Sequence, residues 1–338
     1  MNQGLRDRFI EFSRLKLAAD GSDAYIMGAV VLALESDDPY WYAGCFTTSY
    51  APPTQEVLVR RFARCDLLHR PKEVLGWAVQ HWDGLPISGA RRTNRMGPHK
   101  FVDTLAGYAQ WLDSGGVEGL NRTDFDAAFK QLLGGVPNHG RYTGLKLYET
   151  LRRIGADIPP VSDIRPRGGR TPRRSLSAIF GHDHRSDTTA ASDEANTLAD
   201  GLRSDVPTTW FNVEMLLCNF SKAVKGTFYP GHALDRELSR VASVRGAFGE
   251  REGSGTMRVR RMLYPDECLG EIGGWTGVRK ELEETLPRYG YLWSDRLYDF
   301  GRTVDVSRPV KRAREEPLRL LCGTGEERPH LTFADQTS

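Results

Sequence analysis

One turn and two acidic residues carry the chemistry that can be read from this sequence. The turn is Val136-Pro137-Asn138-His139-Gly140-Arg141-Tyr142-Thr143-Gly144, set between two stretches of helical periodicity. A tight turn that opens directly into a helix aims the first backbone N–H groups of that helix outward. They lie at the positive end of the helix dipole and make a seat for an anion such as phosphate. Gly140 would let backbone and anion approach closely. Asn138 is of a type that tolerates positive φ better than most residues. Thr143 and Gly144 are small enough for the following helix to pack closely. The first acid is Asp163, which follows Gly140 by 23 residues in Pro159-Pro160-Val161-Ser162-Asp163-Ile164-Arg165. The second is Glu214, on an amphipathic helix predicted over 208–221, with Trp210 and Cys218 one turn to either side on the same face. A carboxylate among apolar neighbours can accept a proton or stabilise developing positive charge.

Basic residues gather in three places. Arg91, Arg92, Arg95 and Lys100 form one cluster. Arg165, Arg167, Arg170, Arg173 and Arg174, interleaved with glycine and proline, form a second, and Arg258, Arg260 and Arg261 a third. The formal net charge is only +2, so the case for a phosphate-binding face rests on clustering and not on the total.

Composition excludes several classes. With 39% apolar and 27% charged residues the chain has an ordinary soluble makeup. Its longest apolar run, Tyr25 to Leu34, is too short to cross a bilayer and meets Glu35 and two aspartates at once. The first residues show no apolar stretch with a cleavage site, which predicts an intracellular protein with no membrane partner. Cys45, Cys65, Cys218, Cys268 and Cys322 are widely spaced with no C-x-x-C pair, so neither a zinc finger nor a four-cysteine iron–sulfur loop is expected. No metal-ligand cluster is visible, and reduced thiols are the expectation.

The elements that must position the turn and the acids are predicted to be mainly α, with few short strands. Helices are expected over 4–18, 23–35, from Asp38-Pro39 through Phe46, then 54–65, 71–82, 99–113, 124–133 with Thr123 as cap, 141–154, 208–221, 232–247 and 277–287. Pro52-Pro53-Thr54 is read as the end of a helix. Residues 155–174 read as loop or linker, 183–207 as polar with little to bury, and Met257-Arg258-Val259-Arg260 as a short strand. The chain is read as one catalytic domain over 1–301, with a division into two helical lobes as the alternative, and a polar tail over 302–338.

The turn resembles the hairpin of the helix–hairpin–helix DNA glycosylase superfamily, L-P-G-x-G-x-x-T-A, with Asn138 in place of the first glycine. In that family an essential aspartate follows the hairpin at about the separation of Asp163 from Gly140. The resemblance implies a glycosylase-like helical fold and DNA contacts from Asn138, His139, Gly140, Arg141 and Tyr142. Bifunctional members carry an amine-bearing lysine where this chain has Tyr142, which argues against lyase chemistry. A base-excising, monofunctional glycosylase is therefore one reading.

A second resemblance narrows the first. Glu214-Met215-Leu216-Leu217-Cys218-Asn219-Phe220, then Lys225-Gly226-Thr227-Phe228-Tyr229-Pro230-Gly231, then Asp235, is similar to the downstream signature of phage amino acid:DNA transferases. These are relatives of the α-glutamyl/putrescinyl-thymine pyrophosphorylases of thymidine hypermodification. The likeness implies a DNA substrate bearing 5-pyrophosphoryloxymethyluracil and an amino acid (glycine foremost) or polyamine co-substrate. It also implies release of pyrophosphate, in the cytoplasm of an infected bacterial host. No resident cofactor is implied, although a divalent metal such as Mg2+ could assist the pyrophosphate. That chemistry needs a flipped base, and Tyr40, Trp41, Tyr142, Trp210, Cys218, Tyr229 and Asp235 are candidates for the base or amine pocket. It needs cations for pyrophosphate, for which Arg91, Arg92, Arg95, Arg165, Arg167 and Lys225 are candidates. It needs a base for the amine, Asp163 or Glu214.

Overall fold

The computed structural model describes residues 3–20, 23–88, 96–162, 170–181, 188–203, 208–223 and 232–263. Among them the regular structure is helical throughout, with no strand, so the mainly α expectation holds and the expected short strands are absent from the described residues. The helices are α1 (Gln3–Asp20), α2 (Ala24–Leu34), α3 (Pro39–Ser49), α4 (Pro52–Arg61), α5 (Arg64–His69), α6 (Pro71–His81) and α7 (Pro98–Asp113). Then follow α8 (Phe125–Gly135), α9 (Arg141–Arg153), α10 (Arg170–Phe180), α11 (Thr188–Arg203), α12 (Trp210–Ala223), α13 (His232–Phe248) and α14 (Ser254–Leu263).

Local chemistry sets the helix starts. Asp38 Oδ1 accepts from the Trp41 N–H at 3.0 Å, with Pro39 in the first turn. Pro52 and Pro53 open α4 instead of closing α3, because a first-turn proline lacks only an N–H that the helix would not use. α3 ends at Ser49, and its C-cap Tyr50, two residues before Pro52, adopts φ 51°. Asp124, not Thr123, caps α8, accepting from Asp126 N at 2.9 Å.

Three expectations are corrected. Arg170 to Arg174 belong to α10 and not to a linker. Residues 188–203 form α11, which buries Ala195, Leu198, Ala199 and Leu202 at helical spacing beneath a polar overall composition. Met257 to Arg260 lie in α14, where Val259 is buried. The predicted helix over 277–287 and the polar tail from 302 lie outside the described residues.

The large core is built chiefly on α2, α3, α7, α8 and α9. Gly44 of α3 makes room for the Tyr108 ring of α7, since a Cβ at that position would stand 2.0 Å from it. A second apolar group joins α12 to α1, α10 and α11. Phe220 packs edge-on against Phe9 and Phe12, with ring centroids 5.2 and 5.5 Å away, and Ser175 donates to the Leu217 carbonyl at 2.6 Å. α12 serves both groups, because Phe211 and Met215 belong to the large core.

α9 is the helix that the site depends on. Leu147, Tyr148 and Leu151 face the core, while Tyr142, Lys146, Glu149 and Arg153 recur at helical spacing on another face. Beyond Tyr142 that polar face is also removed from water. Glu149 accepts from Arg152 Nε and Nη2, each at 3.1 Å, and from Arg153 Nε at 2.7 Å. Arg153 continues to Asn212 Oδ1 of α12 at 3.2 Å and lies over the Phe211 ring. Burial alone would raise the Glu149 carboxyl, but Arg153 and Arg152 outweigh it and hold it below its ordinary value of 4.5.

Because its folded-state value is the lower one, Glu149 stabilises the fold fully above about pH 4.5, and that contribution is lost as pH falls through the depressed value. Glu149→Gln should cost about 3–5 kcal/mol at neutral pH, because Arg153 is left buried without its anion. Urea denaturation across pH 3–7 should show a flatter acid limb for the variant; equal slopes would contradict the assignment.

Candidate nucleic-acid and catalytic site

The hairpin forms as its sequence predicts. α8 ends at Gly135, Asn138 takes φ 57°, and α9 begins at Arg141 with Gly140 as its N-cap. The left-handed residue is Asn138 alone; Gly140 has φ −84° and ψ 177°, an extended conformation open to any residue. What distinguishes Gly140 is space, since a Cβ there would meet no atom within 4 Å. The first turn of α9 has no side-chain cap and no acidic residue, which leaves the dipole end favourable to an anion. Gly144 brings the two hairpin helices together, as expected, because a Cβ there would lie 2.3 Å from Leu133 of α8.

The hairpin is pinned from below by contacts the sequence does not reveal. The Pro137 ring lies on Gly107 of α7, where a Cβ would stand 2.2 Å from Cγ. Asn138 Nδ2 donates to Thr104 Oγ1 at 3.1 Å. His139 is only 8% exposed, so its expected role at the DNA face is corrected to a structural one. Its Nδ1 faces the Pro137 carbonyl at 3.1 Å, which can only accept, so Nδ1 carries the proton. Nε2 lies 3.3 Å from Thr47 Oγ1, whose own hydroxyl donates to the Ala43 carbonyl at 3.1 Å.

Arg141 joins the hairpin to the second acid. Its Nη1 and Nη2 donate to Glu214 Oε1 and Oε2 at 3.1 and 3.3 Å, a fork of two parallel bonds. The Arg141 side chain is 29% exposed and that of Glu214 3%, so the pair runs from surface to interior. The apolar neighbourhood of Glu214 in the sequence is thus a buried face. Its charge is compensated by Arg141, which the sequence reading had assigned to DNA alone. Cys218 is half-buried and reduced, and its thiol is among the groups that push the Tyr142 hydroxyl up after burial.

Behind Tyr142 lies a buried cluster that the sequence reading missed. Lys146 Nζ contacts the Asp23 carboxylate and Met215 Sδ. The ammonium is 4.9, 5.4 and 5.8 Å from the ring centroids of Phe211, Tyr142 and Tyr50. Tyr50 donates to Asp23 Oδ2 at 2.7 Å, while Oδ1 caps α2 through Tyr25 N at 3.0 Å. Burial would raise Asp23, yet Lys146 and the bond from Tyr50 hold it below its ordinary range. Tyr50 and Tyr142 are both pushed well up, first by burial of their hydroxyls. The only hint in the sequence is Lys146 standing one turn after Tyr142 on the same helix face.

The other predicted residues divide. Trp41 is a core residue, 2% exposed with its indole N–H on the Phe62 carbonyl, and is corrected from pocket wall to scaffold. Tyr40 packs on the large core beside Glu118, and Trp210 is half-buried on the same core at the start of α12. Asp235 lies on α13, its side chain outside the described residues. Asp163, Arg91, Arg92, Arg95, Arg165, Arg167, Lys225 and Tyr229 are likewise outside them. The chain leading to Asp163 is anchored, with Ile158 and Val161 buried and Tyr148 donating to the Pro159 carbonyl at 2.7 Å. Of the third basic cluster, Arg258 pairs with Glu35. Among the described residues no three His, Cys, Asp or Glu side chains are grouped to hold a metal, and no helix is long and apolar enough to cross a membrane.

No protein-family model, no curated protein and no solved structure matches the chain.

Two glycine substitutions test how the hairpin is held. Gly107→Ala should destabilise the protein by about 1–3 kcal/mol through overpacking against Pro137. Gly134→Ala, which meets nothing within 4 Å, should stabilise α8 by about 0.5–1 kcal/mol. Equal effects in thermal denaturation would show that Pro137 does not rest on Gly107.

Proposed function

We propose that the protein transfers an amine, an amino acid such as glycine foremost, onto 5-pyrophosphoryloxymethyluracil within DNA. The observation that carries this reading is the Arg141–Glu214 fork. Two segments far apart in the sequence, the hairpin and the helix bearing Glu214, were singled out for separate reasons and meet side chain to side chain. A phosphate of the DNA backbone would sit at the first turn of α9, where Gly140 leaves open space and no side chain caps the helix. The target base, out of the stack, would lie toward Tyr142, Cys218 and Glu214.

The amine nitrogen attacks the exocyclic methylene carbon at C5 of the uracil. A C–N bond forms, the C–O bond to pyrophosphate breaks, and the electron pair leaves with the pyrophosphate. The ammonium of the new C–N centre loses one proton to a carboxylate, Glu214 or Asp163. The methylene carbon gains positive charge as the C–O bond lengthens, and the other carboxylate opposes it. Arg91, Arg92, Arg95, Arg165, Arg167 and Lys225 are the candidate cations for the leaving pyrophosphate, and Mg2+, if bound, would supply further positive charge there. This reading sets the reaction in the cytoplasm of an infected bacterial host.

The test is incubation with DNA carrying the pyrophosphorylated base and a panel of amino acids and polyamines. Expected are pyrophosphate release and a nucleoside whose mass reports the added amine. Asp163→Asn and Glu214→Gln should each lower the rate by about 100- to 10,000-fold while DNA affinity falls little. Abasic sites would instead show a glycosylase, and binding without turnover a DNA-binding module.

A further inference from the structure

Tyr142 is the one aromatic among the large apolar side chains that are exposed in the described residues, at 39%. It stands in the first turn of α9, two residues beyond Gly140. Its hydroxyl end is enclosed beside Tyr50, and its ring meets that of Tyr50 edge to face at 6.1 Å. The ring is therefore partly open to solvent, with the Lys146 ammonium over it 5.4 Å from its centroid. What holds it there is more than α2 needs. The cap of α2 uses only Asp23 Oδ1. The remaining oxygen, a lysine 1% exposed and a tyrosine forced to φ 51° are additional, and they converge behind Tyr142. A buried ion pair adds little stability over an apolar pair of the same size, and a bulky residue at positive φ costs stability outright. The left-handed turn at Tyr50 also ends α3 and the ion pair also ties α9 to the start of α2, yet both lie directly against Tyr142.

We propose that Tyr142 is a stacking platform for an unpaired nucleobase, and that Lys146 and Asp23 are positioning residues that fix its plane from behind. The inference rests on the DNA reading above and adds how the displaced base is held. Aromatic rings bind any nucleobase through its π-face, and an aromatic ring next to a phosphate seat holds both parts of one nucleotide. The ammonium at the ring orients it, leaving its open part free to stack.

The test uses the full-length chain and DNA containing 2-aminopurine, single-stranded and in a duplex opposite an abasic site, with binding followed by anisotropy and stacking by fluorescence quenching. Tyr142→Phe should bind and quench like wild type. Tyr142→Ala should lose about ten- to hundredfold in affinity, and quenching with it. Lys146→Met should remain folded yet lose several-fold in affinity and most of the quenching. If that variant fails to fold, Lys146→Met combined with Asp23→Asn, which leaves no unpaired charge, takes its place. Wild-type affinity in Tyr142→Ala would overturn the platform, and wild-type quenching in the lysine variants would overturn the positioning role. Either result leaves the DNA reading intact. No binding of DNA by wild type would overturn both, and stacking without amine transfer would overturn the chemistry alone.

Discussion

Lys146 and Glu149 place opposite charges on the inward face of one helix, each almost wholly removed from water. Neither can be left alone there, since an unpaired buried ion costs several kcal/mol. Everything around α9 answers that constraint. Asp23, at the start of α2, must reach Lys146, and Arg152 and Arg153 must fold back on Glu149. Arg153 in turn needs Asn212, and Lys146 needs the sulfur of Met215 and the face of Phe211, which brings α12 against α9. The polar seam thus fixes the register of two apolar groups that could otherwise slide, because charge-assisted bonds are directional and apolar contacts are not.

The same seam assembles the candidate site at its open end. Once Asn212 and Met215 are set, Glu214 and Cys218 follow on the same helix, and Glu214 arrives opposite Arg141. The hairpin is fixed independently from the other side, by Pro137 on Gly107 and by His139 on Thr47. The first turn of α9 is therefore held at both ends while its outward side remains open. In the function we propose, this uncapped helix start would take a backbone phosphate and the compensated carboxylate beside it would face the base.

Much of this was legible in the sequence. Asp38-Pro39, the apolar stretch from Ala24 to Leu34 and the period of residues 141–153 each declare a helix by cap or spacing. The hairpin declares itself through Pro137, Asn138 and Gly140. What escaped did so for physical reasons. α11 is polar in bulk, and only the spacing of Ala195, Leu198 and Leu202 marks it. His139 and Trp41 look like surface or pocket residues until tertiary contacts bury them. The Asp23–Lys146 pair spans 123 positions, and a buried charge in a sequence looks the same as an exposed one until its partner is known. Glu214 was recognised as an acid on an apolar face, but its partner was not, because Arg141 had a sufficient explanation as a phosphate contact.

The central claim is that the hairpin and the helix carrying Glu214 form one DNA-facing surface. Hydrogen–deuterium exchange with and without duplex DNA tests it directly. The account predicts that amides over 138–145 and over 210–218 gain protection together, and that both gains are lost in Arg141→Ala. Protection of one segment without the other, or of neither while DNA is bound, would contradict it.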